Sequence, residues 1–273
     1  MSAEPSRARV FTDQDMRPGV DAEALLPVAG GQVAVFSSRC PGHQTENEDA
    51  ALVLAAGAGR GLLAVADGLG GRPGGASAAA AALSALLKQA TGSEGLTRGA
   101  ILDGVESANQ AVMDLGIGAA TTLSVAEIAD GMLRPYHVGD SAILVAGQRG
   151  RLKLQTVSHS PVGYAVESGL LDEEEALHHE DRHLISNMVG APDMRIEVGS
   201  ALHLAAHDTV VLASDGLLDN LSCPEIIELV RTGPLHQAVR RLAEACLGRM
   251  REPAEGLPSK PDDLTFLLYR RSV

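Results

Sequence analysis

Apolar runs at 32–37, 51–56, 62–66, 121–128, 132–137, 142–146 and 152–157 follow one another closely along the chain. Several of the links between them are only two to five residues long and carry Gly or Asp, as in "AGAGRG", "ADG" and "GQRGR". A parallel crossover needs a dozen residues or more, so links this short close antiparallel pairs. Further strands are expected at 195–204, 209–213 and 264–270.

Helical patterns fall in blocks between the strands. "GASAAAAALSALLKQAT" is Ala-rich, and in "LTRGAILDGVESANQAVMDLG" Ile101, Val105, Ala108 and Val112 mark one face. "CPEIIELVRT" and "LHQAVRRLAEACLGRM" follow later, with Pro224 suited to a first helical turn. Strand runs interleaved with helix pairs predict an α+β layered sandwich. One domain is expected over 31–273. Residues 1–30, polar and without period, read as an N-terminal tail or loosely docked edge.

Three Phe, three Tyr and no Trp leave the core to Ala, Val, Leu and Ile. They also leave almost no stacking platform for single-stranded nucleic acid. With 22 Lys+Arg against 35 Asp+Glu, the net charge of −13 repels nucleic acid and anionic membranes. No run is long enough to span a bilayer, and the N-terminus lacks the apolar core of a signal peptide. Cys40, Cys223 and Cys246 fit neither a disulfide framework nor a zinc site. The expected location is cytoplasmic.

Two buried-looking strands end on Asp-Gly: "LLAVADGLGG" at Asp67 and "TVVLASDGLLDN" at Asp215. A carboxylate at the mouth of a buried sheet is costly unless something positive neutralises it. No Lys or Arg lies within four residues on the strand side. One such Asp-Gly is an ordinary turn. Here "TENEDAAL" adds Glu48 and Asp49 before a strand, with Asn47 able to cap the turn, and "KPDDLTFLLY" adds Asp262 and Asp263. Four acidic points at strand–loop junctions make an all-oxygen donor set of the kind Mg²⁺ or Mn²⁺ takes. A glycine carbonyl such as that of Gly68 can join it.

In chain order, "NEDA" (47–50), "VADGLGG" (65–71), "ATTLSVAEI" (120–128), "HVGDSAILV" (137–145), "SHSPV" (158–162), "ASDGLLDNL" (213–221) and "DDLTFLL" (262–268) form a series. With this series the chain resembles the metal-dependent serine/threonine protein phosphatases, the PPM family of type 2C, in their bacterial form. The resemblance implies a four-layer α/β/β/α sandwich of two antiparallel sheets flanked by helix pairs. It implies two Mn²⁺ or Mg²⁺ ions, with Asp67 bridging them, the Gly68 carbonyl on the second, and Asp215 and Asp262 completing the shell of the first. Glu48 and Asp49 act mainly through bound waters, and Asp140 matches a position that in some relatives helps hold a weaker third ion. The implied reaction is attack of a bridging hydroxide on a phosphoserine or phosphothreonine of a protein, the product of a Ser/Thr kinase. Asp67, Asp215 and Asp262 carry that chemistry.

Two positions depart from the family pattern. Gln44 stands where relatives often carry a phosphate-gripping Arg, and an amide brings no charge. Arg39 and His43 lie nearby as substitutes. Leu69 stands where some eukaryotic relatives carry a His general acid. The alternative raised by Gln44 is a catalytically weak pseudophosphatase that binds phosphoproteins as a regulatory module. The pattern "HEDRH" formally matches H-E-x-x-H, with His179 and His183 on one helical face. Its middle residues are Asp and Arg, and "LDEEEALHHEDRH" reads as a solvated helix. The glycines after Asp67 form neither a dinucleotide fingerprint nor a P-loop, and His159 and Ser160 read as structural.

Overall fold

The structure, a computed structural model, describes residues 6–13, 25–57, 59–172, 175–176 and 179–272. The strands in chain order are β1 (Arg7–Phe11), β2 (Leu26–Val28), β3 (Gly31–Ser38), β4 (Asp49–Ala55), β5 (Arg60–Asp67), β6 (Leu123–Ala129), β7 (Met132–Val138), β8 (Ala142–Ala146), β9 (Leu152–Gln155), β10 (Glu197–Val198), β11 (Leu202–His203), β12 (Thr209–Ala213) and β13 (Leu264–Arg271). The α-helices are α1 (Gly75–Ala90), α2 (Arg98–Met113), α3 (Pro161–Glu167), α4 (Asp215–Leu218), α5 (Cys223–Val230) and α6 (Leu235–Arg251).

All the strand pairings are antiparallel, and they make two sheets. One runs β1-β4-β5-β6-β7-β10, with β11 also on β7; the other runs β2-β3-β13-β12-β8-β9. Short links produce this pairing directly. The β6–β7 link is Asp130-Gly131, both at positive φ (52° and 80°), as a two-residue hairpin turn requires.

Side chains of one strand alternate between two different cores. Leu52, Leu54, Leu62 and Ala64 pack against α1 and α2, in one cluster with Ala79, Leu83 and Ile101. Their neighbours Ala51, Val53, Leu63 and Val65 pack against Val35, Ile143, Leu212 and Leu267 of the second sheet. On the far side of that sheet, Ala34, Val211 and Phe266 meet Ile226, Val239 and Leu242 of α5 and α6. The result is the expected α/β/β/α sandwich. Burial on both faces explains why β4 and β5 read as unbroken apolar runs.

Two expectations need amendment. The strand expected over 195–204 is two two-residue strands, β10 and β11, both on β7. Opposite the break lies Pro135, and one extra residue is accommodated there. A Cβ on Gly199 would lie 2.5 Å from the Pro135 ring, so the chain must bend past it. The helix expected across 171–183 falls partly on residues 173–174 and 177–178, outside the described residues. At its end, Glu180–His183 is a 3₁₀ turn capped by His179, so His179 and His183 do not share a helical face. Within 1–30, the described segments Arg7–Phe11 and Leu26–Val28 are edge strands; residues 1–5 and 14–24 lie outside the described set. No helix among the described residues is long and apolar enough to cross a membrane.

Candidate metal centre

Antiparallel register brings the acids to one end of the sandwich. Asp49 opens β4 directly opposite Asp67, which closes β5. In the facing sheet β12 ends at Ala213 beside Phe266 of β13. Asp215 therefore follows one strand and Asp262 precedes the other at the same edge. Asp140 lies in the β7–β8 link, next to the strand that pairs with β12. Asp67 feels the charges of Asp49, Asp215, Asp140 and Asp262 together.

A hydrogen-bonded frame fixes these carboxylates. Ser214 Oγ donates to Asp49 Oδ2 at 2.9 Å, and the Thr265 amide donates to Ser214 Oγ at 3.1 Å. Asn47 Oδ1 accepts from the Asp49 amide, the turn cap expected from sequence. Thr122 Oγ1 accepts from the Asp67 amide, and Thr121 Oγ1 donates to the Asp67 carbonyl at 2.8 Å. Glu48 accepts from the backbone of Gly75, the first residue of α1. The cap residue Gly74 has no side chain to offer that helix, so the Glu48 carboxylate supplies the negative charge its N-terminus favours. Asp263 serves the frame as well. Its two oxygens accept from the amides of Cys40 and Glu48, both at 2.7 Å.

Burial and mutual repulsion raise the proton affinity of the cluster. Asp49 and Asp67 are held well above the usual carboxylate range, first by burial and then by Asp263 and Asp49 respectively. Burial pushes Asp140 up to about 8, with Asp215 and Asp219 adding to it. Asp219 is pushed up to about 6 by burial and by Asp215. This acid was not singled out from sequence. It follows Asp215 by four residues around the single turn of α4, so both carboxylates face the same way.

The sequence also hid a cation. Lys260 Nζ lies 2.8 Å from Asp215 Oδ2, 2.7 Å from Asp219 Oδ2 and 3.2 Å from Asp262 Oδ2. One ammonium does not balance the remaining acids. Asp140 Oδ1 is buried with no hydrogen-bond partner, an acceptor facing a site that supplies no donor. The donors are all oxygen, and the backbone at Gly68 is packed so tightly that a Cβ there would lie 2.4 Å from Gly75. Such a set fits a hard divalent cation.

The three expected phosphate contacts lie on the 39–48 loop. Gln44 and His43 are exposed. Arg39 is engaged by Asp13, with its Nε donating to Asp13 Oδ1 at 2.7 Å and its terminal nitrogen meeting the other oxygen. His137, His159 and Glu197 also place donor atoms within 4.8 Å of one another. His159 Nδ1 accepts from the Gly139 amide and lies 2.8 Å from Asn187 Nδ2, while its Nε2 faces Glu197 at 3.2 Å. His137 Nε2 bonds the Val157 carbonyl. The rings stack at 4.3 Å and act as a post beneath the link that carries Asp140. Ser160 caps α3 through the Gly163 amide.

The sequence model of the family described as "Protein phosphatase 2C" matches residues 39–250. Protein phosphatase PhpP of Streptococcus pneumoniae is 30% identical over 198 residues, covering 68% of this chain and 79% of PhpP. The crystal structure of the Mycobacterium tuberculosis serine/threonine phosphatase PstP/Ppp superposes with a TM-score of 0.73 at 27% identity, over 89% of this chain and 99% of that one. A catalytic domain of PstP in complex with two manganese ions superposes with a TM-score of 0.70 at 28% identity, over 88% of this chain and 97% of that one.

A carboxyl whose folded pKa is raised stabilises the fold while protonated, and ceases to do so as pH climbs through that value. In chelator, thermal stability is expected to fall as pH rises through about 6 and on through about 8, the values of Asp219 and Asp140. Saturating Mn²⁺ should flatten the dependence. Melting curves across that range test both parts, and a chelated protein equally stable at both ends contradicts the electrostatic reading.

Proposed function

The chain belongs to the protein phosphatase 2C family, and from that membership we propose that it hydrolyses phosphoserine and phosphothreonine on proteins at a divalent-metal centre. The observation that carries this reading is the convergence of acids from both sheets on Asp67, which feels the charges of Asp49, Asp215, Asp140 and Asp262. Asp67, Asp215 and Asp262 would hold two Mg²⁺ or Mn²⁺ ions together with the Gly68 carbonyl. Glu48 and Asp49 would act through water, and Asp140 borders the same site. Bound there, the two ions would supply Lewis acidity, making water a stronger nucleophile at neutral pH and offsetting negative charge on the phosphoryl group.

The protein's own contribution is placement. The Thr121–Thr122 backbone and hydroxyl bonds hold the turn at Asp67, and Ser214 holds Asp49 against the opposite sheet. Both clamps use buried side chains, so the carboxylates approach the reaction pre-organised. Leu69 carries no titratable group, and the leaving hydroxyl takes its proton from water. A cavity of about 320 Å³ adjoins Asp140, Asp215 and Asp219, walled by Val157, Val162 and Leu221, and gives a peptide chain room beside the site. The complete acid set supports turnover over phosphoprotein binding alone.

Hydrolysis of p-nitrophenyl phosphate and of a phosphothreonine peptide should require Mn²⁺ or Mg²⁺ and vanish in chelator. Asp67→Asn should abolish it while leaving the circular dichroism spectrum native, because one carboxylate of the shared shell is lost. Full activity in excess EDTA, or substantial turnover by the Asp67→Asn protein, contradicts the proposal.

Gln44 offers the phosphate no charge, and Arg39 is already paired with Asp13. Gln44→Arg is therefore expected to lower KM, by an amount worth ~1–3 kcal/mol for a charge-assisted bond, with kcat nearly unchanged. Steady-state kinetics decide it. An unchanged KM shows that position 44 does not reach the substrate phosphate.

A further inference from the structure

Lys260 is matched to its surroundings in number as well as charge. An ammonium has three N–H donors, and Nζ has three carboxylate oxygens at hydrogen-bond distance, one each from Asp215, Asp219 and Asp262. Two of these carboxylates belong to the metal shell of the proposed function, on which this inference rests. The third, Asp219, does not. Lys260 lies only two residues before Asp262, and its backbone is pinned. The Lys260 amide donates to Asn220 Oδ1, and Asn220 Nδ2 donates to the Lys260 carbonyl. The same Asn220 Nδ2 lies 2.8 Å from the Gly216 carbonyl, so the α4 turn that presents Asp215 and Asp219 also fixes where the lysine stem begins.

We propose that Lys260 is a tethered counter-cation that occupies the Asp215–Asp262 side of the centre and competes with the divalent ion held there. In the metal-free protein it neutralises acids that otherwise repel one another. On loading, the ion draws on Asp215 and Asp262, and the ammonium retains Asp219 as its anchor. Two like-signed charges sharing ligands at this range repel each other. Lysine thus stabilises the empty fold and weakens metal binding. A merely structural lysine does the reverse of the second effect, since its loss loosens the site and weakens the metal.

The test is calorimetric titration of Mn²⁺ into the wild-type protein and Lys260→Met, with melting curves of each in EDTA and in Mn²⁺. Lys260→Gln serves as a second variant that keeps a polar head group, and Lys260→Arg keeps the charge. The neutral variants should melt lower than wild type in EDTA, gain more from Mn²⁺, and bind it at least about tenfold more tightly, which is 1.4 kcal/mol. Lys260→Arg should show no such tightening. Native circular dichroism with unchanged or weaker Mn²⁺ affinity in both neutral variants overturns the inference while leaving the metal centre standing. A wild-type protein that binds no Mn²⁺ overturns the centre and this inference with it.

Discussion

The carboxylates at one end of the sandwich repel one another, and the site is organised around that repulsion. Asp49, Asp67, Asp140, Asp215, Asp219 and Asp262 are all crowded against at least one other acid and partly removed from water. Isolated charges in such a place shift their pKa or find a partner. Here both happen: Asp49, Asp67, Asp140, Asp219 and Asp262 are pushed toward protonation, and Lys260 is drawn among three carboxylates. In the proposed function, divalent cations relieve the rest of the cost.

The sandwich makes such crowding sustainable. Each sheet buries one face against helices and the other against its partner sheet, so the strand ends are rigid and face one another. The Ser214–Asp49 bond ties the two sheets at the site itself, and within the second sheet the paired Ser37 and Thr265 hydroxyls bond at 2.7 Å. Asp263 ties the 40–48 loop to the start of β13. Neutral hydroxyls and one structural acid therefore hold the strand-end acids in place. A similar arrangement of sheets is found in the manganese-bound PstP catalytic domain.

Much of this was legible from residues alone. The links between strands set antiparallel pairing, and the apolar runs that stop at Asp67 and Asp215 marked the end of the sandwich where the acids converge. Lys260 was not legible as a partner of Asp215, because the two are 45 residues apart and meet only through the β12–β13 register. Asp219 was readable in principle from its four-residue spacing to Asp215, but a one-turn helix leaves no periodic signal. The break between β10 and β11 escaped because 195–204 is apolar enough to read as one strand. Pro135, whose ring crowds that break, lies on a different strand. His179 and His183 showed the opposite fault: a spacing that implies one helical face only if the segment is an α-helix, where the chain makes a 3₁₀ turn.

The central claim is that the strand-end acids, and not the His137–His159–Glu197 group, hold the divalent ions. Anomalous diffraction from crystals soaked in Mn²⁺ tests it most directly. The account predicts two strong anomalous peaks flanking the Asp67 carboxylate, one of them also in contact with Asp215 and Asp262. Peaks confined to the histidine pair, or none beside Asp67 at saturating Mn²⁺, would contradict it.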